Sequence, residues 1–175
     1  MIQILDKTFE PYISSDNIQK YIAKVAEKID ADYRDKDPLL LGILNGSFMF
    51  ASDLMKALTI DPEISFIKLA SYEGTSSTGK VEELIGINEN IEGRHIIIIE
   101  DIVDTGNTLE KIIKLLEAKK SASVEIVTLL YKPEAYTKNH DVKYVGTEIP
   151  NKFVVGYGLD YDGKGRSLEE IYQIV

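Results

Sequence analysis

Two hydrophobic rhythms alternate along this chain. Ile96 to Ile99 form a wholly apolar, β-branched run, and Leu39 to Leu44 (LLLGIL) form a second. Both have the length of a strand buried on its two faces in a parallel sheet. Elsewhere the apolar positions recur at helical spacing. Ser15 and Asp16 precede Ile18, Ile22, Val25 and Ile29, which predicts an amphipathic helix capped at that pair and ending near Ile29. Asn45-Gly46-Ser47 reads as a tight turn into a helix over FMFASDLMKAL. Leu109, Ile112, Ile113, Leu115 and Leu116 predict a third helix, with Lys119 and Lys120 at the carboxyl end, where the helix dipole favours cations.

Further strands are predicted from Glu63 to Tyr72, from Ser123 to Tyr131 with Lys132-Pro133 as the stop, from Val142 to Thr147, and from Phe153 to Tyr157. Glu73 to Lys80 (EGTSSTGK) is a polar Gly/Ser/Thr loop expected to be mobile, and Val81 to Asn88 is expected to return beside the strand before it. Asp160 to Arg166 (DYDGKGR) is rich in turn residues. With no internal repeat, low-complexity stretch or linker, the alternation predicts one α/β domain over residues 1–175.

Composition narrows the chemistry. The 175 residues are 44% hydrophobic, enough for a core and against disorder. The apolar runs are too short to cross a bilayer and the amino end has no secretory pattern, so a cytoplasmic protein without membrane contact is expected. The absence of cysteine leaves only oxygen ligands or His95 and His140 for a metal, which points to magnesium. A net charge of -9 argues against nonspecific nucleic-acid binding. An anionic substrate would have to be met locally by backbone N–H groups, a cation, or a placed Arg or Lys.

The run HIIIIEDIVDTGNTL, His95 to Leu109, holds the richest chemistry. Glu100, Asp101 and Asp104 are expected just past the carboxyl end of the Ile96–Ile99 strand, the end at which open α/β sheets bind ligands. Thr105-Gly106-Asn107-Thr108 can wrap N–H groups and hydroxyls around one phosphate at a helix start, with Gly106 allowing the tight turn. The loop is neither a Walker nor a Rossmann glycine motif. Acids beside a phosphate repel it by roughly 4 kcal/mol at 4 Å and intermediate dielectric, so they call for magnesium or ribose hydroxyls as partners. Glu100 and Asp101 suit that role, and Asp104, farther into the loop, can act as a general base. The plainer alternative is that Asp-Thr-Gly only ends a strand and caps a helix. The same tripeptide in an aspartic protease needs an all-β frame, which the following helix excludes.

The string EDIVDTGNTL resembles the phosphoribosyl pyrophosphate (PRPP) motif of the purine/pyrimidine phosphoribosyltransferase family, in the form of its hypoxanthine-guanine branch. LLGILNGSFMFASDL, LASYEGTSSTGKV, LLYKPE and IPNKFVVGYGLDYDGKGR resemble the same branch in the same order, so the likeness spans about Leu39 to Arg166. It implies the type I phosphoribosyltransferase fold: a core parallel sheet flanked by helices, a small hood and a flexible loop. It also implies a reaction in which hypoxanthine or guanine takes phosphoribose from PRPP, giving IMP or GMP and pyrophosphate with Mg²⁺. Glu100 and Asp101 would engage ribose and magnesium, Asp104 to Thr108 the 5'-phosphate, Asp104 also the purine N7 proton, and Asp160 a second magnesium. Arg166 and the Leu44-Asn45-Gly46 turn would hold pyrophosphate, and the loop at Ser71-Tyr72 would close over the site. Phe153 would stack on the purine, the Val154 backbone would read its edge, and Lys132 would donate to its 6-oxygen. Family members are commonly dimers or tetramers, so a homo-oligomer is expected. The chain departs from the family where many relatives carry a basic residue and it carries Asn45. A nucleotide-sensing regulator of this fold, a non-catalytic α/β binding module, and a transferase preferring xanthine are the competing readings.

Overall fold

The computed structural model describes residues 1–69 and 83–175. In chain order the elements begin with β1 (Ile2–Ile4), β2 (Lys7–Ile13), α1 (Ser15–Tyr33), β3 (Leu39–Ile43), α2 (Phe48–Ala57) and β4 (Glu63–Leu69). They continue with β5 (Glu83–Ile85), β6 (His95–Val103), α3 (Asn107–Ala118), β7 (Ser123–Tyr131), β8 (Tyr144–Glu148), β9 (Val154–Val155) and β10 (Ile171–Ile174). Ser71, Tyr72 and the polar 73–80 loop lie outside the described residues.

Six strands form the central sheet in the order β5-β4-β3-β6-β7-β8. All neighbours are parallel except β5, which runs antiparallel to β4 at one edge. The four isoleucines of β6 show why the run is wholly apolar. Ile97 and Ile99 enter the core shared with α1 and α2, while Ile96 and Ile98 enter the core shared with α3. Successive strand residues face opposite sides of the sheet, and here each side is covered by helix. Ile97→Ala is therefore expected to lower unfolding free energy by about 2–5 kcal/mol, read as a fall in the urea midpoint at unchanged slope.

Three expectations shift. Helix α1 is capped one residue earlier than predicted, by Ser14, whose hydroxyl accepts from the Asn17 N–H, and it continues to a buried Tyr33. Strand β6 also runs beyond its apolar stretch, because Glu100, Ile102 and Val103 still pair with Thr128, Leu130 and Tyr131 of β7. Glu100 and Asp101 thus belong to the strand's last turn of pleat, and only Asp104 lies past its end. The third difference lies within the expected hood, an antiparallel sheet in the order β1-β2-β10-β9 that takes β1, β2 and β10 from segments where no strand is predicted. The hood is built from both ends of the chain around buried Phe9, Val155 and Ile171. Among the described residues no helix is long and apolar enough to cross a membrane.

Candidate active site

The turn from β6 into α3 is shaped by Gly106, whose φ of 79° is left-handed. A Cβ there would also fall 2.5 Å from the Tyr136 ring and 2.8 Å from the Lys138 stem. Gly106 occupies the N-cap position and brings no side-chain oxygen, so the first-turn N–H groups of α3 are left for a ligand. Thr105, Asn107 and Thr108 are exposed around them. Glu100, Ile102, Val103 and residues 104–109 line a cavity of about 110 Å³. One small anion fits there, given the roughly 30 Å³ share of a water molecule.

Asp101 is only 7% exposed and accepts from the Ile102 N–H at 2.8 Å. Burial and the adjacent Asp101 carboxylate push the Glu100 carboxyl well up. Burial also raises Asp101, against the opposing pull of its bonds to Glu100 and the Ile102 N–H and of the Arg166 charge. Two adjacent acids, one buried and one partly so, resist double ionisation until a cation joins them. Among the described residues, no three His, Asp or Glu side chains converge on one point. A carboxylate pair with room for more ligands suits magnesium, which keeps waters and takes phosphate oxygens for its remaining positions.

Against Asp101 lies the turn after β3. Residues Leu44 and Asn45 are joined by a cis peptide bond, and the Leu44 N–H donates to the Ile67 carbonyl of β4 at 2.9 Å. A Cβ on Gly46 would stand 1.8 Å from Asp101 Oδ2, so only glycine lets this backbone reach the carboxylate. On its far side the turn meets the Lys68 Nζ, which donates to Asn45 Oδ1 at 3.1 Å. Above it sits the hood loop after β9, pinned by the buried Tyr157 hydroxyl, which donates to Asp53 of α2. In that loop Arg166 meets Asp160 at 2.7 Å and donates to the Gly158 carbonyl at 2.6 Å. The second Asp160 oxygen accepts from the Gly163 N–H at 2.6 Å.

Lys132 is the buried cation of the site, 6% exposed, with its Nζ 2.9 Å from Asp104 Oδ2. Its N–H donates to the Val103 carbonyl, which holds the β7 exit against the end of β6. On the hood, Phe153 is 45% exposed, with the Tyr161 ring perpendicular to it at 5.9 Å and the Phe9 ring tilted against it at 6.3 Å, so part of its ring stays open. The Phe153 carbonyl accepts from the Ile174 N–H. Antiparallel strands alternate bonded and non-bonded positions, so the Val154 backbone turns to the open edge of the hood.

An open helix start, an acid pair and an aromatic hood edge are the chemistry this site offers. The family described as Phosphoribosyl transferase domain matches residues 14–162. The chain belongs to the phosphoribosyltransferase family. Curated relatives include the hypoxanthine-guanine phosphoribosyltransferases of Streptococcus pyogenes and Staphylococcus aureus. The first is 40% identical over 97% of this chain and 99% of its own length. The second is 42% identical over 93% and 91%. Among solved structures, a hypoxanthine-guanine phosphoribosyltransferase of Bacillus anthracis with HEPES in its active site superposes with a TM-score of 0.88. It shares 36% identity, over 97% of this chain and 98% of its own. A hypoxanthine phosphoribosyltransferase of Staphylococcus aureus gives the same TM-score, 0.88, at 41% identity over 95% and 91%. The fold is that of the type I phosphoribosyltransferases, and the chain is a transferase.

The phosphoribosyltransferase site gathers the sequence-predicted residues unevenly. Glu100 and Asp104 to Thr108 share one cavity, Gly46 abuts Asp101, and Lys132 reaches Asp104. Asp160 pairs with Arg166, while Phe153 and Val154 stand on the hood. Ser71 and Tyr72 fall outside the described residues. Sequence reading missed Lys68 and the Tyr157–Asp53 tie. Both are contacts between residues far apart in the chain, and no local spacing marks them.

Proposed function

We propose that this chain transfers the 5-phosphoribosyl group of PRPP to N9 of hypoxanthine or guanine in purine salvage, giving IMP or GMP and releasing pyrophosphate. The observation that carries this reading is the ion pair between buried Lys132 and Asp104, a half-exposed residue of the cavity at the start of α3. Lysine donates and never accepts, so Lys132 suits a 6-oxo purine and opposes the donor face of a 6-amino one. Asp104, 45% exposed beside it, can hold the proton at N7 as the ribosyl carbon meets N9. Phe153 offers the open part of its ring to the purine and the Val154 backbone its hydrogen bonds. The α3 N–H groups with Thr105 and Thr108 hold the 5'-phosphate, and Arg166 with the Asn45-Gly46 turn holds pyrophosphate. Magnesium would be held by Glu100 and Asp101, with a second ion at Asp160, and when bound supplies positive charge to the departing pyrophosphate. The relatives' names support the same reaction class.

The unit proposed to carry this activity is the whole chain as one domain. Ile13, Val154 and Ile171 of the hood strands lie in the same core as α1 and α2, which supports that reading. The family's dimer or tetramer is the assembly we propose.

Steady-state pyrophosphate release with PRPP, magnesium and each purine tests the reading. Hypoxanthine or guanine should exceed adenine in kcat/KM by roughly 10⁴, the penalty for a base that cannot meet a buried hydrogen-bonding group. Adenine as the best base, or no release with any 6-oxopurine, overturns it.

A further inference from the structure

We propose that Lys68 supplies the positive charge of the pyrophosphate subsite, held over the turn after β3 by Asn45. The inference rests on the PRPP reading above, and on which cations of the site are already neutralised. Lys132 faces Asp104 at 2.9 Å and Arg166 faces Asp160 at 2.7 Å. Lys68 faces the neutral Asn45 carboxamide at 3.1 Å, and among the described residues it forms no ion pair. An ammonium hydrogen-bonded to an amide keeps its full charge and two further donors for an incoming anion.

Its position comes from the sheet. Strand β3 lies between β4 and β6, so the turn that ends it is flanked by Lys68 on one side and Asp101 on the other. The Leu44 N–H to Ile67 carbonyl bond keeps β4 against that turn at the residue before Lys68. Asn45 itself carries no charge, and its side-chain oxygen is the acceptor that aims Lys68 there. One residue thus brackets a cation delivered from the neighbouring strand. This arrangement would let the turn receive a strongly anionic group without a basic residue of its own. A carboxylate at position 45 would have neutralised Lys68, whereas the amide orients it and leaves the charge for the ligand.

Titration calorimetry with magnesium pyrophosphate, beside steady-state KM values, tests the assignment. Lys68→Met should weaken pyrophosphate binding about tenfold, the worth of one charge-assisted hydrogen bond, and raise the KM for PRPP alike. The hypoxanthine KM and the thermal midpoint should stay unchanged, and Lys68→Arg should retain most of the affinity. Adding Asn45→Lys to Lys68→Met should restore pyrophosphate binding, because the charge returns to the turn from a different backbone position. Unchanged pyrophosphate affinity in Lys68→Met, in an enzyme that Arg166→Ala does weaken, overturns the role of Lys68 and leaves the subsite standing. If neither variant weakens pyrophosphate, the placement of that subsite falls, and the Lys68 assignment falls with it.

Discussion

Asp104→Asn should lower kcat by roughly 10²–10⁴, the range of a lost general base, while the KM for PRPP changes little. The substitution conserves shape, and the amide oxygen can still accept from Lys132 Nζ, 2.9 Å from Asp104 Oδ2. What disappears is a group that can take and hold a proton. PRPP should bind nearly as before, because the proposed reading gives its 5'-phosphate to N–H groups of the 105–108 segment and its pyrophosphate to the turn and Arg166. A transition-state contribution shows as equal losses in kcat and kcat/KM. If KM for PRPP rises as much as kcat falls, Asp104 is a phosphate-loop residue rather than the base. Lys132 complicates the experiment, since a buried ammonium that loses its anionic partner is costly. Asp104 is partly exposed, which softens that cost, and thermal unfolding of the variant separates a weakened fold from a weakened reaction.

Gly46→Ala should lower kcat/KM for PRPP by about 100-fold, the effect expected when a reacting constellation is displaced by around 1 Å. The added methyl would lie 1.8 Å from Asp101 Oδ2 and 2.6 Å from its Cγ. Asp101 cannot simply swing away, since it is buried and its Oδ1 accepts from the Ile102 N–H. Retreat of the turn is blocked as well. A Cβ on Gly158 would fall 2.2 Å from the Gly46 carbonyl oxygen, so hood loop and turn are already in close contact. Overpacking of this kind typically costs about 1–3 kcal/mol, which the fold can survive while the site is misaligned. Near-normal PRPP kinetics in a folded Gly46→Ala protein would show that Asp101 and the turn move independently.

The parts legible in sequence were those whose signal is local. The Ile96–Ile99 run showed a strand covered on both faces, and Ser123 to Tyr131 matched β7 at both ends, because Pro133 marks its stop. The Gly106 turn and α3 showed for the same reason. The hood strands β1, β2 and β10 were not read from periodicity. Pro11 interrupts β2, and its partner β10 lies at the other end of the chain, with Phe9 opposite Ile174. Long-range pairing leaves no periodic trace when each strand is short and half exposed. The boundary of β6 was misjudged because charged residues usually signal a strand's end, whereas here the parallel neighbour β7 carries the ladder on through Glu100. At the site, Asp104 and Lys132 could be named separately, but their pairing depends on β6 and β7 being adjacent. Asn45 stood out in sequence as a missing charge, and only the neighbouring strand shows Lys68 reaching it.

The hood's connectivity also ties its edge to both ends of the chain. Strand β9, which begins just after Phe153 and carries Val154, is paired on one side only, to β10, and β10 pairs in turn with β2. A strand held by a single neighbour is only as well ordered as that neighbour. Whatever loosens β10 therefore reaches Phe153 and Val154 directly, while the β6–α3 turn keeps its parallel neighbours in the central sheet.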